Sequence, residues 1–377
     1  MWEVERMIYH KFGKTDLQTS AIGFGGMRFR QNEGIEACAE VVKAAYERGI
    51  NFFDTAPGYG LSEEIFGAAF KQMNKQRSKR PFYVSTKSLR INSRDIRSQL
   101  ETSLKRMNVD YLDFYHVWYV LSLDEYKERK RSGVLKTFER LKDEGLIKHI
   151  SISTHATGDE IEKILSDYPF DSVLLGYSAM NFAYRQQGLD AAVKQNCAVA
   201  VMNPLGGGLI AENPDKFSFL KTKKEETVVE AAIRFLLNDK RINIVLAGFS
   251  TISQIDEAIK AADGFEPLKE KDIKRITEGI DQTFNKLCTG CRYCDVCPQK
   301  IDVPKIMDAY NHLMLGKSDR VFLERLQMHW GYEIDKDFLS ECTACAKCQD
   351  KCTQKLPVCK QIAAVRSAVQ KLLSKKT

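Results

Sequence analysis

No run of about 18 uninterrupted apolar residues occurs in this chain, and its opening Met-Trp-Glu-Val-Glu-Arg lacks the short apolar stretch of a secretory leader. Neither a membrane-spanning helix nor export is therefore expected, and the reading places the protein in the cytoplasm. Proline and glycine are sparse, at 9 and 23 of 377 residues, and disorder is not indicated. No nucleic-acid-binding motif is present.

What is present is an ordinary globular composition, 44% hydrophobic and 28% charged. Single cores stop growing at about 250–300 residues, so the length suggests one large domain and a smaller one. The net charge of +7 is localised, because residues 351–377 hold seven Lys or Arg and no acid. That tail reads as a solvated amphipathic helix over Val358–Lys375, or as a docking face for an acidic protein or an anionic surface.

From Ala21 onward, short β-rich runs alternate with longer stretches of helical period. The strand candidates are Ala21–Gly25, Ile50–Asp54, Phe82–Lys87, Leu112–Val117, His149–Ser153, Ser172–Leu175, Ala198–Met202 and Ile242–Ala247. Helical period marks Ile35–Arg48, Glu63–Met73, Arg94–Met107, Val134–Glu144, Asp159–Ser166, Thr227–Asn238 and Ser253–Ala262, with a weak unit at Leu189–Gln195. Eight such units predict an α/β fold, a (β/α)8 TIM barrel, with a doubly wound open sheet as the alternative. A hairpin from Ile8–Phe12 and Leu17–Thr19 is expected to cap the barrel's bottom. The expected domains are a barrel over 1–266, a linker helix over 267–287 and a cysteine-rich domain over 288–377.

Catalytic groups of such barrels sit at the C-terminal ends of strands. Asp54 ends the second strand, Tyr59 follows in Asp54-Thr-Ala-Pro-Gly-Tyr59-Gly, and Lys87 ends the third strand. A phenol has an ordinary pKa near 10, and an adjacent ammonium makes it a better proton donor. Asp54 would keep Lys87 charged and aimed. Singly, these residues read as a capping Asp, a turn Tyr and a solvated Lys; at the ends of adjacent strands they suit protonation of a carbonyl oxygen during hydride transfer. The loops after strands seven and eight, Gly206-Gly-Gly208 and Gly248-Phe-Ser250-Thr251, offer open backbone and a helix N-terminus to a pyrophosphate.

Over residues 7–263 the sequence resembles the aldo/keto reductase family. The motifs are Phe12-Gly-Lys-Thr-Asp-Leu-Gln-Thr-Ser-Ala-Ile-Gly-Phe-Gly, Asp54-Thr-Ala with Tyr59-Gly, Ser85-Thr-Lys87, Val109-Asp-Tyr-Leu-Asp113 and Asn203-Pro-Leu-Gly. The resemblance implies NADPH or NADH as hydride donor and maps the catalytic Asp, Tyr and Lys onto Asp54, Tyr59 and Lys87. The family's catalytic histidine falls at Trp118, while His116 stands two residues earlier and is expected deeper on the same inward face. By the same resemblance Ser153 and Thr154 meet the nicotinamide amide, Gln254 lies near the adenosine end, and Asn203, Leu205, Gly206, Gly248 and Ser250 complete the cofactor loops. Gly23-Phe-Gly25-Gly26 is a tight turn rather than a dinucleotide fingerprint. Beyond it, Met27 and Arg28 are expected to face a small carbonyl substrate.

Of the 11 cysteines, eight form Cys288-x2-Cys291-x2-Cys294-x2-Cys297-Pro and Cys342-x2-Cys345-x2-Cys348-x3-Cys352. In a reducing compartment clustered thiols are metal or cluster ligands rather than disulfides; tetrahedral zinc is the plainer alternative, and the three successive x2 spacings favour iron–sulfur over it. The runs resemble bacterial ferredoxins, in which the fourth Cys ligates the other cluster. That resemblance implies two [4Fe-4S] clusters in a mainly α-helical ferredoxin-like domain. One would be held by Cys288, Cys291, Cys294 and Cys352, the other by Cys342, Cys345, Cys348 and Cys297. Cys38 and Cys197 read as buried apolar thiols, and Cys359 has no assigned role.

Two functions follow. The first is an NAD(P)H-dependent carbonyl reductase carrying an iron–sulfur electron-transfer module, with a redox partner at the basic tail. The second is an electron-transfer or redox-sensing protein whose barrel binds a ligand without turnover.

Overall fold

The computed structural model describes residues 7–179, 186–283 and 287–374. The chain divides into two compact units, one holding residues up to Leu205 together with Phe217–Thr277, the other Gly206–Lys216 together with Glu278–Thr377.

In the first unit, β1 (Tyr9–Lys11) and β2 (Gln18–Ser20) form an antiparallel hairpin. Then follow β3 (Ile22–Gly25), β4 (Phe52–Asp54), β5 (Tyr83–Ser88), β6 (Leu112–Val120), β7 (Ile147–Thr154), β8 (Ser172–Gly176), β9 (Ala198–Met202) and β10 (Ile244–Gly248). These eight close into a parallel barrel, β10 pairing with both β3 and β9. The surrounding helices are α1 (Ile35–Glu47), α2 (Ser62–Met73), α3 (Ser93–Met107), α4 (Leu123–Arg131), α5 (Val134–Asp143), α6 (Gly158–Asp167) and α7 (Gln186–Lys194). After α8 (Leu209–Glu212), which lies in the second unit, come α9 (Val228–Leu237) and α10 (Ile252–Lys260).

The parallel barrel replaces the open-sheet alternative, and each expected strand lies within a few residues of an observed one. Helix α4 is not among the helices expected from the sequence, because its residues, Leu-Asp-Glu-Tyr-Lys-Glu-Arg-Lys-Arg, bury only Tyr126 and so show almost no apolar period. It starts on the Ser122 side chain, which accepts from the Glu125 N–H.

Phe12, from the hairpin turn, plugs the barrel's N-terminal end against Phe52 and Phe114, with ring centroids 5.7 and 5.0 Å away. Gly13, at φ 58°, passes so close to Ala198 that a Cβ would stand 2.7 Å from its backbone nitrogen. On the outer face of the sheet, Phe24, Phe53, Phe66, Phe70 and Phe82 are all buried and join α2 to the strands through edge-on and tilted contacts. Each such ring contributes about 1.5–3 kcal/mol by burial.

A charged knot ties the same end of the barrel. Asp171, just before β8, accepts from the Ile150 N–H at 3.0 Å and lies 3.5–3.6 Å from Lys14, Lys142 and His149. Burial pushes its carboxyl up, but His149, the Ile150 N–H and the Lys142 charge outweigh it and pull the pKa to about 2.

The second unit carries the later part of α11 (Glu270–Thr283), then α12 (Val303–Met314), α13 (Asp319–Glu324), α14 (Lys347–Asp350) and α15 (Val358–Ser374). Its core gathers Val303, Ile306, Phe322, Leu326, Val365 and Val369 with four of the clustered cysteines. Among the described residues no helix is long and apolar enough to cross a membrane.

Because the folded pKa of Asp171 lies below the usual carboxylate value, its stabilisation is complete above about pH 4 and disappears as pH falls towards 2. Asp171→Asn is expected to lower the unfolding free energy by about 2 kcal/mol at pH 7. Denaturant titrations at a series of pH values should show this deficit closing on acidification.

Candidate active site

Asp54, at the C-terminal end of β4, pairs in register with Ser85 of β5, and Lys87 pairs with His116 of β6. Period-two alternation therefore aims Asp54, Ser85, Lys87 and His116 into the barrel. All four are buried. Lys87 Nζ donates to Asp54 Oδ2 and to the Thr55 carbonyl, each at 2.5 Å. Ser85 Oγ donates to the other carboxylate oxygen, Oδ1, at 2.8 Å. Burial pushes the Asp54 carboxyl up and the Lys87 ammonium down, while their mutual attraction opposes both shifts.

Tyr59 comes from the loop after β4. Its ring centroid is 5.5 Å from Lys87 Nζ, so the aromatic ring and the ammonium meet at one mouth of the barrel. Gln31 pins this loop: its Nε2 donates to the Tyr59 carbonyl at 2.8 Å and its Oε1 accepts from the Leu61 N–H at 3.1 Å. Between those contacts Gly60 takes φ 63°, and a Cβ there would strike the Gln31 amide. No residue period announces Gln31, because its work is done by a side chain on a neighbouring loop.

Trp118 and His116 are both buried towards the lumen, as two residues apart on a strand should be. The indole stands edge-on to Tyr59 at 5.8 Å and 90°. Its tip also reaches Gly58, where a Cβ would lie 3.0 Å away. Between Val117 and Val120 the β6–β7 register slips, and Tyr119 takes φ 61°. Such a bulge re-aims side chains at strand ends. Arg129 of α4 secures it by donating to the Trp118 carbonyl at 2.6 Å. Deeper in the barrel, His116 Nε2 meets Ser85 Oγ at 2.9 Å. Burial, reinforced by the Lys87 charge, holds this imidazole well below its ordinary pKa, so it is neutral. A cleft of about 660 Å³ opens beside Trp118 and is lined by Pro57, Gly58, Leu89, Arg90 and Gln99.

The expected cofactor residues are distributed as follows. Ser153 and Thr154 are buried neighbours on β7 and therefore face opposite sides of the strand. The Thr154 hydroxyl latches backbone, donating to the Val120 carbonyl at 2.9 Å and accepting from the Ala156 N–H. Gly248 ends β10 beside Gly25. Ser250 donates its N–H to Gln254 Oε1 at 2.8 Å and its hydroxyl to the Arg28 carbonyl at 2.6 Å. With Thr251 as its N-cap, α10 thus presents a helix N-terminus at this loop. Arg28 lies across Gly248, where a Cβ would stand 2.8 Å from the Arg28 side chain, while Met27 is exposed. Asn203, at φ 59°, and Leu205 follow β9 in the first unit, whereas Gly206 belongs to the second.

In that second unit the cysteine segments are folded together. Cys288, Cys294, Cys348 and Cys352 are buried in its core, with Cys297, Cys342 and Cys359 packed against them and Cys345 exposed. Burial raises the Cys288 thiol, and the neighbouring Cys291, Cys294 and Cys352 add to that rise. Cys294 is pushed up to about 12, by burial first and then by Cys291 and Cys352. Among the described residues no three His, Cys, Asp or Glu side chains converge where they could hold a metal ion.

Comparison with known proteins fits the barrel. The chain is 28% identical over 293 residues to L-galactose dehydrogenase of Arabidopsis thaliana, spanning 68% of this chain and 88% of that one. It is 26% identical over 316 residues to probable aldo-keto reductase 1 of Glycine max, spanning 72% and 88% respectively. The holo form of the aldo-keto reductase AKR11C1 from Bacillus halodurans shares the fold with a TM-score of 0.62 and 23% identity, over 72% of this chain and 96% of that one.

The buried Asp54–Lys87 pair gives a direct test. Lys87→Met leaves a carboxylate buried without its counter-charge, and about 3–5 kcal/mol of unfolding free energy should be lost at pH 7. The loss should shrink at acid pH, where Asp54 takes up a proton, as denaturation curves would record. Gln31→Ala, which removes two hydrogen bonds from the Tyr59 loop, should cost about 1–2 kcal/mol in the same measurement.

A model of the aldo/keto reductase family matches residues 21–281, more than half of the sequence, and the chain belongs to that family of oxidoreductases.

Proposed function

We propose that the barrel reduces a small carbonyl compound, an aldehyde or ketone, with Tyr59 as proton donor to the carbonyl oxygen and Lys87, held by Asp54, as the charge that makes the phenol donate. The observation that carries this reading is the fully buried Asp54–Lys87 pair at the C-terminal mouth, with Lys87 Nζ 5.5 Å from the centroid of the Tyr59 ring. A nicotinamide cofactor, NADPH or NADH, supplies the hydride when bound. Gly248, Ser250 and the N-terminus of α10 suit its phosphates, and Arg28, lying over Gly248, suits that anionic end better than the substrate. Ser153 faces the lumen and remains the candidate for the nicotinamide amide, and Asn203 and Leu205 for the loop beside it. Trp118 walls the substrate space in the place of the family's histidine. Family membership favours this enzyme over a barrel that binds ligand without turnover. The relatives named for a substrate include an L-galactose dehydrogenase and a methylglyoxal reductase, so small sugars and dicarbonyls are the first substrates to try.

For the cysteine unit we propose a ferredoxin-like domain with two [4Fe-4S] clusters, which pass single electrons. The mutual proximity of Cys288, Cys291, Cys294 and Cys352 supports the crossed ligand set for one cluster, leaving Cys342, Cys345, Cys348 and Cys297 for the other. Donors already face these sulfurs: the Gly290 N–H meets Cys288 and the Leu356 N–H meets Cys352, each at 3.4 Å. Thr353, where ferredoxins have proline, brings its hydroxyl to 3.3 Å from Cys291. Buried thiols whose ionisation is opposed by one another need a cation to hold them as thiolates, and a four-iron cluster is wide enough for ligands that do not meet around one ion. The basic tail, with exposed Cys345 in the same unit, suits an acidic redox protein as electron partner.

Protein purified without oxygen should contain about eight iron and eight sulfide per chain. Tyr59→Phe should lower kcat by about 10²–10⁴ while the quenching of NADPH fluorescence on binding is retained. An iron-free preparation with full carbonyl turnover would remove the clusters and keep the reductase; the converse result would remove the reductase.

A further inference from the structure

Among the features the proposed reaction does not use, the most completely built is the polar chain leading from the catalytic pair into the barrel. His116 Nε2 meets Ser85 Oγ at 2.9 Å, and Ser85 Oγ meets Asp54 Oδ1 at 2.8 Å, while Lys87 occupies Oδ2. A serine hydroxyl has one proton. Given to the ionised carboxylate, that proton is unavailable to His116, so the imidazole is assigned as the donor, from Nε2–H, and its buried Nδ1, near the Ile152 backbone, carries no proton.

We propose that His116, acting through Ser85, is a positioning residue that keeps the Asp54–Lys87 pair in its charged form and its Oδ2 aimed at Lys87, so that Tyr59 faces an ammonium. The inference rests on the reductase reading of the barrel. It gives the imidazole two residues below the family's position a role that Trp118 cannot fill.

The physical need is plain. A buried carboxylate–ammonium pair can discharge itself by moving one proton from Nζ to Oδ2, and burial favours that neutral form. Neutral Lys87 would no longer lower the cost of phenolate at Tyr59. A hydrogen bond to Oδ1 acts only on the charged carboxylate side of this balance, and a serine polarised by an imidazole N–H is a stronger donor than a serine alone. His116 is suited to the task because it is neutral, for the reasons given above, and so adds no second cation beside Lys87. The other charged group felt by Lys87 is Glu63 of α2, itself bonded to Thr86 and Arg106. From β7 the residue paired with His116 is Ser151, whose hydroxyl is engaged with Ser172 at 2.7 Å and carries no charge.

The experiment compares Ser85→Ala and His116→Asn, which break the chain, with Ser85→Thr and His116→Gln, whose polar groups still reach across it. The apparent pKa of Tyr59 is read from phenolate absorbance, as the difference between each variant and the same variant carrying Tyr59→Phe. The pH dependence of kcat and the NADPH dissociation constant are measured alongside. Breaking the chain should raise the Tyr59 midpoint by about one pH unit and lower kcat about tenfold, with NADPH affinity within about twofold. The two bridging variants should return most of both effects. Folded Ser85→Ala and His116→Asn proteins that titrate like the parent would overturn the proposal, as would a His116→Gln protein as impaired as His116→Asn. Should the parent show the Tyr59 shift without any carbonyl turnover, the reductase reading fails and the positioning role stands.

Discussion

One buried ion pair organises this molecule. A carboxylate and an ammonium removed from water cost several kcal/mol each to desolvate, and the pair is tolerable only where geometry and extra hydrogen bonds compensate. Here the compensation comes from the barrel itself. Three adjacent strands deliver Asp54, Ser85 with Lys87, and His116 to one interior layer, and the Thr55 carbonyl supplies the remaining acceptor. The aromatic ring of Tyr59 then needs only a loop of defined length to reach the ammonium, and Gln31 with Gly60 fixes that loop.

The apolar half of the barrel makes this affordable. Phe12, Phe52 and Phe114 seal the N-terminal end, so the polar layer lies above a closed hydrophobic floor rather than beside a water channel. The strand end that carries Trp118 is irregular between Val117 and Val120, and Arg129 clamps it through the Trp118 carbonyl, where the indole stands edge-on to Tyr59.

Much of this was readable from residue order. Eight β/α alternations predicted the barrel because each strand is an apolar run and each major helix has an apolar face, and Asp54, Tyr59 and Lys87 stood out as titratable residues at strand ends. Helix α4 was not legible, since its charged sequence leans on capping and few buried groups. The roles of Ser85 and Gln31 were hidden for another reason: a serine and a glutamine carry no pattern of their own, and their partners lie 31 and 28 positions away. For Thr154, sequence placed a cofactor contact at a hydroxyl that also serves as a backbone latch at the end of β7. The cysteine spacing was the plainest signal in the chain, yet spacing alone does not say which thiols meet. The clustering of Cys352 with Cys288, Cys291 and Cys294 depends on the return of the chain through α14.

Gly206–Lys216 leaves the barrel after β9, joins the cysteine unit and returns to α9. Gly207 lies against Thr289 so tightly that no side chain would fit between them. The polypeptide therefore enters the cysteine unit twice, once as this excursion and once for good near Thr277. A protein ended at Thr277 would keep this excursion and lose the residues it is folded with.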